Sequence, residues 1–157
     1  MKREEKGFTL IELAVALIVV AIVGAISITG YFSIMRSTHA MQAVGDLYAI
    51  RAAAYMNYGD TSQWPEDLPP GIPPTDLLSR LPSGFEFVRR DYRLDWDNWI
   101  GQHYAPGDPR SAVLVGVSVV SKDPKLLDTI QSLMSRTYII RTTPTKATLR
   151  IIGPGGL

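Results

Sequence analysis

The sequence contains no cysteine and almost no excess of charge of either sign. Without cysteine the chain can form no disulfide, no thiolate metal site and no cysteine nucleophile. Sixteen basic and fifteen acidic residues give a formal net charge of +1. The chain therefore lacks the strong positive field on which binding to nucleic acids largely depends. Its 157 residues are enough for one modest domain, and nothing in this composition indicates a thiol, redox or nucleic-acid function.

Charge is also missing from a long stretch near the N-terminus. Between Glu12 and Arg36 lie 23 residues without a charged side chain, dominated by Leu, Ile, Val and Ala. As a helix this run covers roughly 35 Å, enough to cross the hydrocarbon core of a bilayer of about 30 Å. A cleaved secretory signal would have a shorter apolar region of about 7–15 residues. We therefore predict a transmembrane helix. The basic cluster before it predicts a cytoplasmic N-terminus and an exported C-terminal part; its members are Lys2, Arg3 and Lys6.

The helical pattern continues beyond the apolar run. No proline occurs from Phe8 to Tyr58, and the pair Gly59-Asp60 is typical of a helix end. Apolar residues continue at three- and four-residue spacing, which predicts the helix face that packs on the exported part; they are Ile34, Met41, Val44, Tyr48, Ala52 and Tyr55. We expect one long helix with a membrane half over 8–35 and an amphipathic half over 36–58.

Small residues follow one face of the membrane half at every fourth position. They are Ala21, Ala25, Thr29 and Ser33. Such a pattern lets membrane helices approach each other closely and so indicates lateral helix association. It also arises by chance in an alanine-rich helix, and both interpretations stay open.

A single carboxylate, that of Glu12, stands at the head of the apolar run. An ionised carboxylate in the bilayer interior costs on the order of 2.5–3.5 kcal/mol on insertion scales, and less near the interface. One interpretation is a first-turn glutamate that complements the helix dipole at the level of the lipid headgroups. The other is that Glu12 pairs with a cation supplied by another chain.

The segment Lys-Gly-Phe-Thr-Leu-Ile-Glu-Leu at residues 6–13 resembles the prepilin signal of the type IV pilin superfamily. The resemblance implies a leader at residues 1–7, cleavage between Gly7 and Phe8 by a membrane prepilin peptidase, and N-methylation of the new amine of Phe8. It also implies that Glu12 attracts the N-terminal amine of a neighbouring subunit during filament assembly. Many major pilins have a proline in the membrane helix and a C-terminal disulfide loop. This sequence has neither, which favours a minor pilin or a pseudopilin.

The resemblance implies a structural function and no enzymatic one. The expected protein is a subunit of a type IV pilus or a type II secretion pseudopilus, held in the bacterial inner membrane by one span before it enters the filament. Its expected partners are prepilin peptidase, other pilin or pseudopilin subunits, the inner-membrane assembly platform and the lipid membrane. The alternative is a membrane-anchored periplasmic binding protein or enzyme with an uncleaved signal anchor.

The exported head, residues 59–157, is expected to be an α+β unit. Six of the eleven prolines lie between Trp64 and Pro82, so this segment is a connecting loop with at most a short helical turn at 76–80. It is either an ordered linker or a surface for specific contacts. Strand-like patterns occur at 85–96, 112–120, 138–141 and 147–152, with a helix at 123–135. We predict a small, mainly antiparallel sheet against the long helix, the pilin-like arrangement that the resemblance implies.

Residues that could carry chemistry are few in the head. His39 and His103 do not have metal-ligand spacing, and the sequence contains no phosphate-binding glycine loop or Gly-x-Ser-x-Gly motif. Asp95, Asp97 and Asn98 offer the oxygen ligands that calcium prefers, although their spacing does not match an EF-hand loop. These three residues are weak calcium candidates. The alternative is a solvated strand edge among packed aromatic residues, and no other cofactor is expected.

Overall fold

One long helix, α1, spans Leu10–Thr61. The computed structural model describes residues 8–105, 107–135 and 137–155. The predicted leader, including Gly7, lies outside these residues. The chain forms two units that divide between Arg36 and Ser37, and α1 belongs to both. The helix ends one residue beyond the predicted Gly59-Asp60 stop, at Thr61, whose hydroxyl donates to the carbonyl of Asn57 in the last turn at 2.8 Å.

The part of α1 up to Arg36 is long and apolar enough to cross a membrane. None of its most apolar stretch is buried within the chain. A continuous apolar surface of this size marks a site of contact with lipid or with other protein. The structure therefore agrees with the predicted apolar helix.

The second unit contains a four-stranded sheet with two further helices. A short helix α2 spans Thr75–Leu78 and α3 spans Pro124–Met134. The strands are β1, Arg93–Asn98; β2, Val115–Val120; β3, Ile139–Thr143; and β4, Lys146–Ile152. Their order in the sheet is β1-β2-β4-β3, and all three neighbouring pairs are antiparallel. The predicted α+β class and the small antiparallel sheet are confirmed.

The core lies between one face of the sheet and α1 from Ala40 onward. Strand residues alternate, so that Leu94 and Trp96 of β1 and three valines of β2 are fully buried in it. The helix contributes a face made mostly of alanine, composed of Ala40, Ala43, Leu47, Ile50, Ala53 and Ala54. These small side chains share the core with the large indole of Trp96.

The predicted packing face of α1 is therefore wrong. Met41 is 59% exposed and Tyr48 is 49% exposed. Apolar residues occur on several sides of this helix, and the periodicity alone favoured the larger ones. The face that the core buries is instead the neighbouring alanine-rich one, whose small side chains fit beside the large Trp96 indole in a closely packed interior.

The boundaries of the first two strands also differ from the prediction. Residues 85–92 form a loop, in which the Arg89 N–H donates to the carbonyl of Tyr92 at 2.9 Å, and β1 begins only at Arg93. Before β2, a 3-10 turn at Pro109–Ala112 is capped by the side chain of Asp108, so the strand begins at Val115 and not at Ala112. In both places a local turn replaces sheet pairing.

The proline-rich segment after α1 is bound to β1 through the carbonyl group of Pro65. The Trp96 indole N–H donates to the carbonyl of Pro65 at 3.0 Å, and the Asn98 amide donates to the same oxygen at 2.9 Å. Trp64 stacks on Tyr58 of α1, with the ring centroids 4.4 Å apart. The segment is therefore an ordered connection between α1 and the sheet.

The sheet face opposite α1 is polar but also buried. The segment that follows β1 covers it, with Trp99 and Val113 buried apart from the main core. Gly116 of β2 lies beneath this cover, since a Cβ atom there would stand 3.1 Å from the Val113 side chain and 2.6 Å from that of Thr148. This covered face brings together polar side chains from all four strands.

Candidate functional site

Thr9 and Glu12 form a reciprocal hydrogen-bonded pair at the start of α1. The Thr9 backbone N–H donates to Glu12 Oε2 at 2.9 Å, and the Thr9 hydroxyl donates to the same oxygen at 2.6 Å. In return, the Glu12 N–H donates to Thr9 Oγ1 at 3.3 Å. This arrangement is a capping box, in which the residue before the helix and the third helical residue satisfy otherwise free N–H groups. Glu12 therefore caps the helix of its own chain.

The capping box leaves Glu12 accessible to a second partner. Both hydrogen bonds from Thr9 reach Oε2, and Oε1 accepts none from the residues that the structure describes. Glu12 is exposed, and Phe8 is 79% exposed. The carboxylate is thus held in a defined position at an open helix end, where it can accept a further donor. Its pairing with the amine of another subunit stays a prediction.

The stripe of small residues lies on the exposed surface of the apolar part of α1. Ala21, Ala25 and Ser33 are exposed within this chain. Thr29 belongs to the same helix, and its side chain lies outside the described atoms. The stripe is thus open to another helix, and its role in helix packing stays a prediction.

A second polar site is buried under the covered face of the sheet. Asp95 and Asp97 point to the same side of β1, and the ammonium of Lys146 at the start of β4 lies between them. Lys146 Nζ is 2.6 Å from Asp95 Oδ2 and also donates to Asp97 Oδ1. The side chains of the two aspartates are only 3% and 1% exposed, and that of Lys146 is 15% exposed. The expectation of a solvated strand edge is wrong, because the segment after β1 folds back over these side chains.

The pKa values of all three groups are raised, those of the two aspartates by burial and that of Lys146 by the aspartates around it. Burial and the charge of Asp97 raise the pKa of Asp95 to about 6, although Lys146 acts in the opposite direction. Burial also raises the pKa of Asp97. Burial favours the neutral amine of Lys146, but the charges of Asp97 and Asp95 together outweigh this and raise its pKa. Two carboxylates therefore compete for one ammonium in a poorly solvated place.

A line of hydroxyl groups extends from Asp97 across the sheet. Ser118 of β2 donates to Asp97 Oδ2. The Ser118 hydroxyl also lies 2.7 Å from that of Thr148 on β4, which is 2.9 Å from the Thr142 hydroxyl on β3. Asp97 thus has partners for both of its oxygens. Asp95 differs, since its Oδ1 is buried without a hydrogen-bond partner among the described residues.

The calcium candidates do not share one coordination site. Asp95 and Asp97 face Lys146, whereas the Asn98 amide is turned toward the carbonyl of Pro65. Among the described residues, no group of three or more His, Asp or Glu side chains could hold a metal ion. Calcium at Asp95, Asp97 and Asn98 stays a prediction, and the ion would have to displace the Lys146 ammonium.

Thr9 and Lys146 are among the residues of these sites that the sequence analysis does not predict. Thr9 has a recognisable local signal, the Thr-x-x-Glu spacing of a capping box. Lys146 has none, because it lies 51 positions from Asp95 and meets it only when β1 and β4 pair with opposite edges of β2.

The N-terminal region also matches a known family. Residues 2–28 match the family model described as the prokaryotic N-terminal methylation motif. The match includes Phe8 and Glu12, and it ends before the second unit begins. No curated protein and no solved structure matches the chain. The chain therefore carries the prepilin signal of type IV pilins and pseudopilins.

Proposed function

We propose that this protein is a structural subunit of a type IV pilus or a type II secretion pseudopilus. Prepilin peptidase cuts between Gly7 and Phe8 and methylates the new amine of Phe8. The apolar part of α1 holds the subunit in the inner membrane and then enters the core of a helical filament with other subunits, on the assembly platform of that membrane. The function is mechanical and involves no catalysis.

The observation that carries the proposal is the prepilin signal at residues 2–28, followed by an apolar helix that stays exposed within the chain. A helix of this kind requires lipid or other helices around it, and a filament subunit uses both in turn. The exposed carboxylate of Glu12, with Oε1 free of described partners, supports its pairing with a neighbouring amine. The stripe of Ala21, Ala25 and Ser33 supports close helix packing.

Processing is tested by the intact mass of the membrane-extracted protein, expressed with and without a prepilin peptidase. We expect a peptidase-dependent loss of residues 1–7 and a gain of one methyl group. N-terminal peptide sequencing should show Phe8 as the first residue, with the methyl group on its amine. An N-terminus that keeps its leader in the presence of an active peptidase would instead favour the membrane-anchored binding protein or enzyme.

Assembly is tested by two substitutions that separate the two roles of Glu12. Glu12→Gln keeps a side chain that can complete a capping box but removes its charge, whereas Glu12→Ala removes both. If Glu12 pairs with a cationic amine, both variants are processed and neither is recovered in sheared or cross-linked filaments. If Glu12 serves only as a helix cap, the Gln variant assembles like the original protein.

The matched control for this experiment is Glu66→Gln, which removes an exposed carboxylate from the head. It changes the net charge by the same amount without touching α1. We expect Glu66→Gln to assemble normally. Equal loss of assembly in this control and in Glu12→Gln would contradict a specific role for Glu12.

A further inference from the structure

The side chains of Lys146 and Asp95 are placed as the two halves of an amide bond. Lys146 Nζ lies 2.6 Å from Asp95 Oδ2, and both groups belong to strands that the sheet holds in fixed register. We propose that Lys146 and Asp95 condense into an intramolecular isopeptide bond inside the head, with Asp97 as the proton-transferring residue. This inference rests on the head alone and does not depend on the proposed filament function.

The site provides the proximity and the dryness that such a condensation needs. Intramolecular groups held in a reactive geometry reach effective molarities on the order of 10⁵–10⁸ M, which can offset the cost of forming an amide in water. Asp95 is 3% exposed at its side chain, and the ring of Trp99 lies 5.2 Å from Lys146 Nζ. Little water reaches this closed site, which favours condensation over hydrolysis of the bond.

The two aspartates differ in a way that assigns their roles. Asp97 accepts from Lys146 with one oxygen and from Ser118 with the other, and both donors favour its ionised form and so oppose the effect of burial. Asp95 has one oxygen on Lys146 and one buried oxygen without a described partner. A buried carboxylate oxygen without a donor is unfavourable, and a neutral amide oxygen in its place is less so. Asp95 is therefore the electrophile and Asp97 the base.

The reaction needs a neutral Asp95 and a deprotonated Lys146, and the site can provide both. Burial and the charge of Asp97 raise the pKa of Asp95 to about 6, so its neutral acid form is populated more readily than that of an ordinary aspartate. Lys146 holds its proton because of the two carboxylates around it. A proton must therefore pass from Lys146 to Asp97 before the attack, and the hydrogen bond between them provides the path.

The step balances within the site. The Lys146 ammonium transfers one proton to the Asp97 carboxylate, and the resulting amine attacks Cγ of the Asp95 carboxylic acid. The new bond joins Nζ to Cγ, and the bond from Cγ to the Asp95 hydroxyl oxygen breaks. Asp97 passes a proton to the departing hydroxyl, and the proton lost from nitrogen returns to Asp97. The products are one amide, one water molecule and a protonated Asp97, with no oxidant, reductant or external reagent.

The bond would join two strands that are not paired with each other in the sheet. Asp95 lies on β1 and Lys146 on β4, with β2 between them in the sheet. The cross-link would close a covalent loop that contains β2, α3 and β3, in a chain that has no cysteine and hence no disulfide. The head would then resist separation of its edge strand from the rest of the sheet.

The test is mass spectrometry of the full chain, purified in detergent. We expect an intact mass lower by one water molecule than the sequence and its N-terminal processing require. Trypsin should release a branched peptide that joins residues 94–110 to residues 142–150, because acylated Lys146 is not cut. Fragmentation should place the link on Asp95. Separate peptides at their sequence masses, with normal cleavage after Lys146, would overturn the proposal whatever the variants show.

Variants test the roles of the individual groups. Lys146→Met and Asp95→Ala should both restore the full intact mass, while the exposed-site controls Lys125→Met and Asp128→Ala should keep the linked peptide. Asp97→Asn should retain both reacting groups but lose most of the linked form. Linkage of the Asn variant at the original rate would refute the role of Asp97, and a loss of water that survives Lys146→Met would refute the bond itself.

Discussion

Tyr92 offers a direct measure of how the loop before β1 is held to α1. Its side chain is 4% exposed, and its hydroxyl donates to Oδ2 of the buried Asp46 at 2.7 Å. Replacing Tyr92 by Phe removes this donor and little else. Asp46 keeps its contacts with the Arg89 guanidinium, at 3.3 Å to Nε and 3.4 Å to Nη2. The substitution therefore isolates one buried hydrogen bond to a carboxylate.

The expected loss follows from the charge of the acceptor. Hydrogen bonds to charged groups contribute about 1.5–3 kcal/mol to the free energy of unfolding, against roughly 1 kcal/mol for neutral pairs. For a folded unit of roughly 120 residues, 1 kcal/mol corresponds to about 4 °C of Tm. Tyr92→Phe should thus lower the Tm of the head by about 6–12 °C.

The assay is thermal unfolding of the full chain in detergent micelles, followed by near-UV circular dichroism. All three tryptophans lie in the head, so the signal reports this unit. Tyr138→Phe is the matched control, because Tyr138 is 61% exposed; its Tm should change by less than about 2 °C, in keeping with the small effects of surface substitutions. Equal Tm values for Tyr92→Phe and the control would refute the role of this hydrogen bond.

The same pair of proteins has an expected pH dependence. Burial and the hydrogen bond to Asp46 raise the pKa of Tyr92 above its usual range. Above the ordinary tyrosine value of about 10 the unfolded chain loses this proton while the folded chain keeps it, so the original protein loses stability as the pH rises. The phenylalanine variant has no phenol to titrate at this position, so the stability difference should shrink above about pH 10. A difference that stays constant up to about pH 11 would contradict a buried, protonated tyrosine.

Three further substitutions test the sheet and its cover. Relative to the head in which Lys146 and Asp95 are not linked, Lys146→Met should lower the free energy of unfolding by about 3–5 kcal/mol at about pH 8, because it leaves two buried carboxylates without a cation. The loss should be smaller at about pH 5, because Asp95, whose pKa is raised to about 6, then takes up a proton; a loss that grows as the pH falls would refute this. Gly116→Ala should lower the free energy of unfolding by about 1–3 kcal/mol, because the new Cβ would stand 2.6 Å from the Thr148 side chain. An unchanged Tm would contradict this clash. Asp123→Ala should lower the free energy of unfolding by about 0.5–2 kcal/mol, because it removes the N-cap of α3. Urea unfolding should show a lower midpoint with an unchanged slope of the transition.

The N-terminal region was predictable because its information is local. The apolar run, the single carboxylate and the residues around Gly7 and Phe8 are contiguous in the chain, and their spacing can be compared with a known signal directly. The capping box between Thr9 and Glu12 belongs to the same class, because both partners lie within one helical turn. Such local spacing does not depend on how the rest of the chain folds.

The packing face of α1 was not predictable by the same means. Periodicity identifies apolar positions, but this helix has them on more than one side, and it favoured the larger side chains such as Met41 and Tyr48. The face that packs is the alanine-rich one, which shares the buried core with the large Trp96 of the sheet. The shape of the opposing surface decides between two apolar faces, and that surface exists only after the sheet has formed.

The long apolar helix, the prepilin signal and the small α+β head could all be predicted from the order of the residues. The burial of Asp95 and Asp97, with Lys146 between them, is visible only in the folded head. The reason is that antiparallel pairing through β2 brings together residues some fifty positions apart, and the returning segment with Trp99 then excludes water from them. The residues next to those aspartates in the sequence predict neither the pairing register nor the segment that covers them.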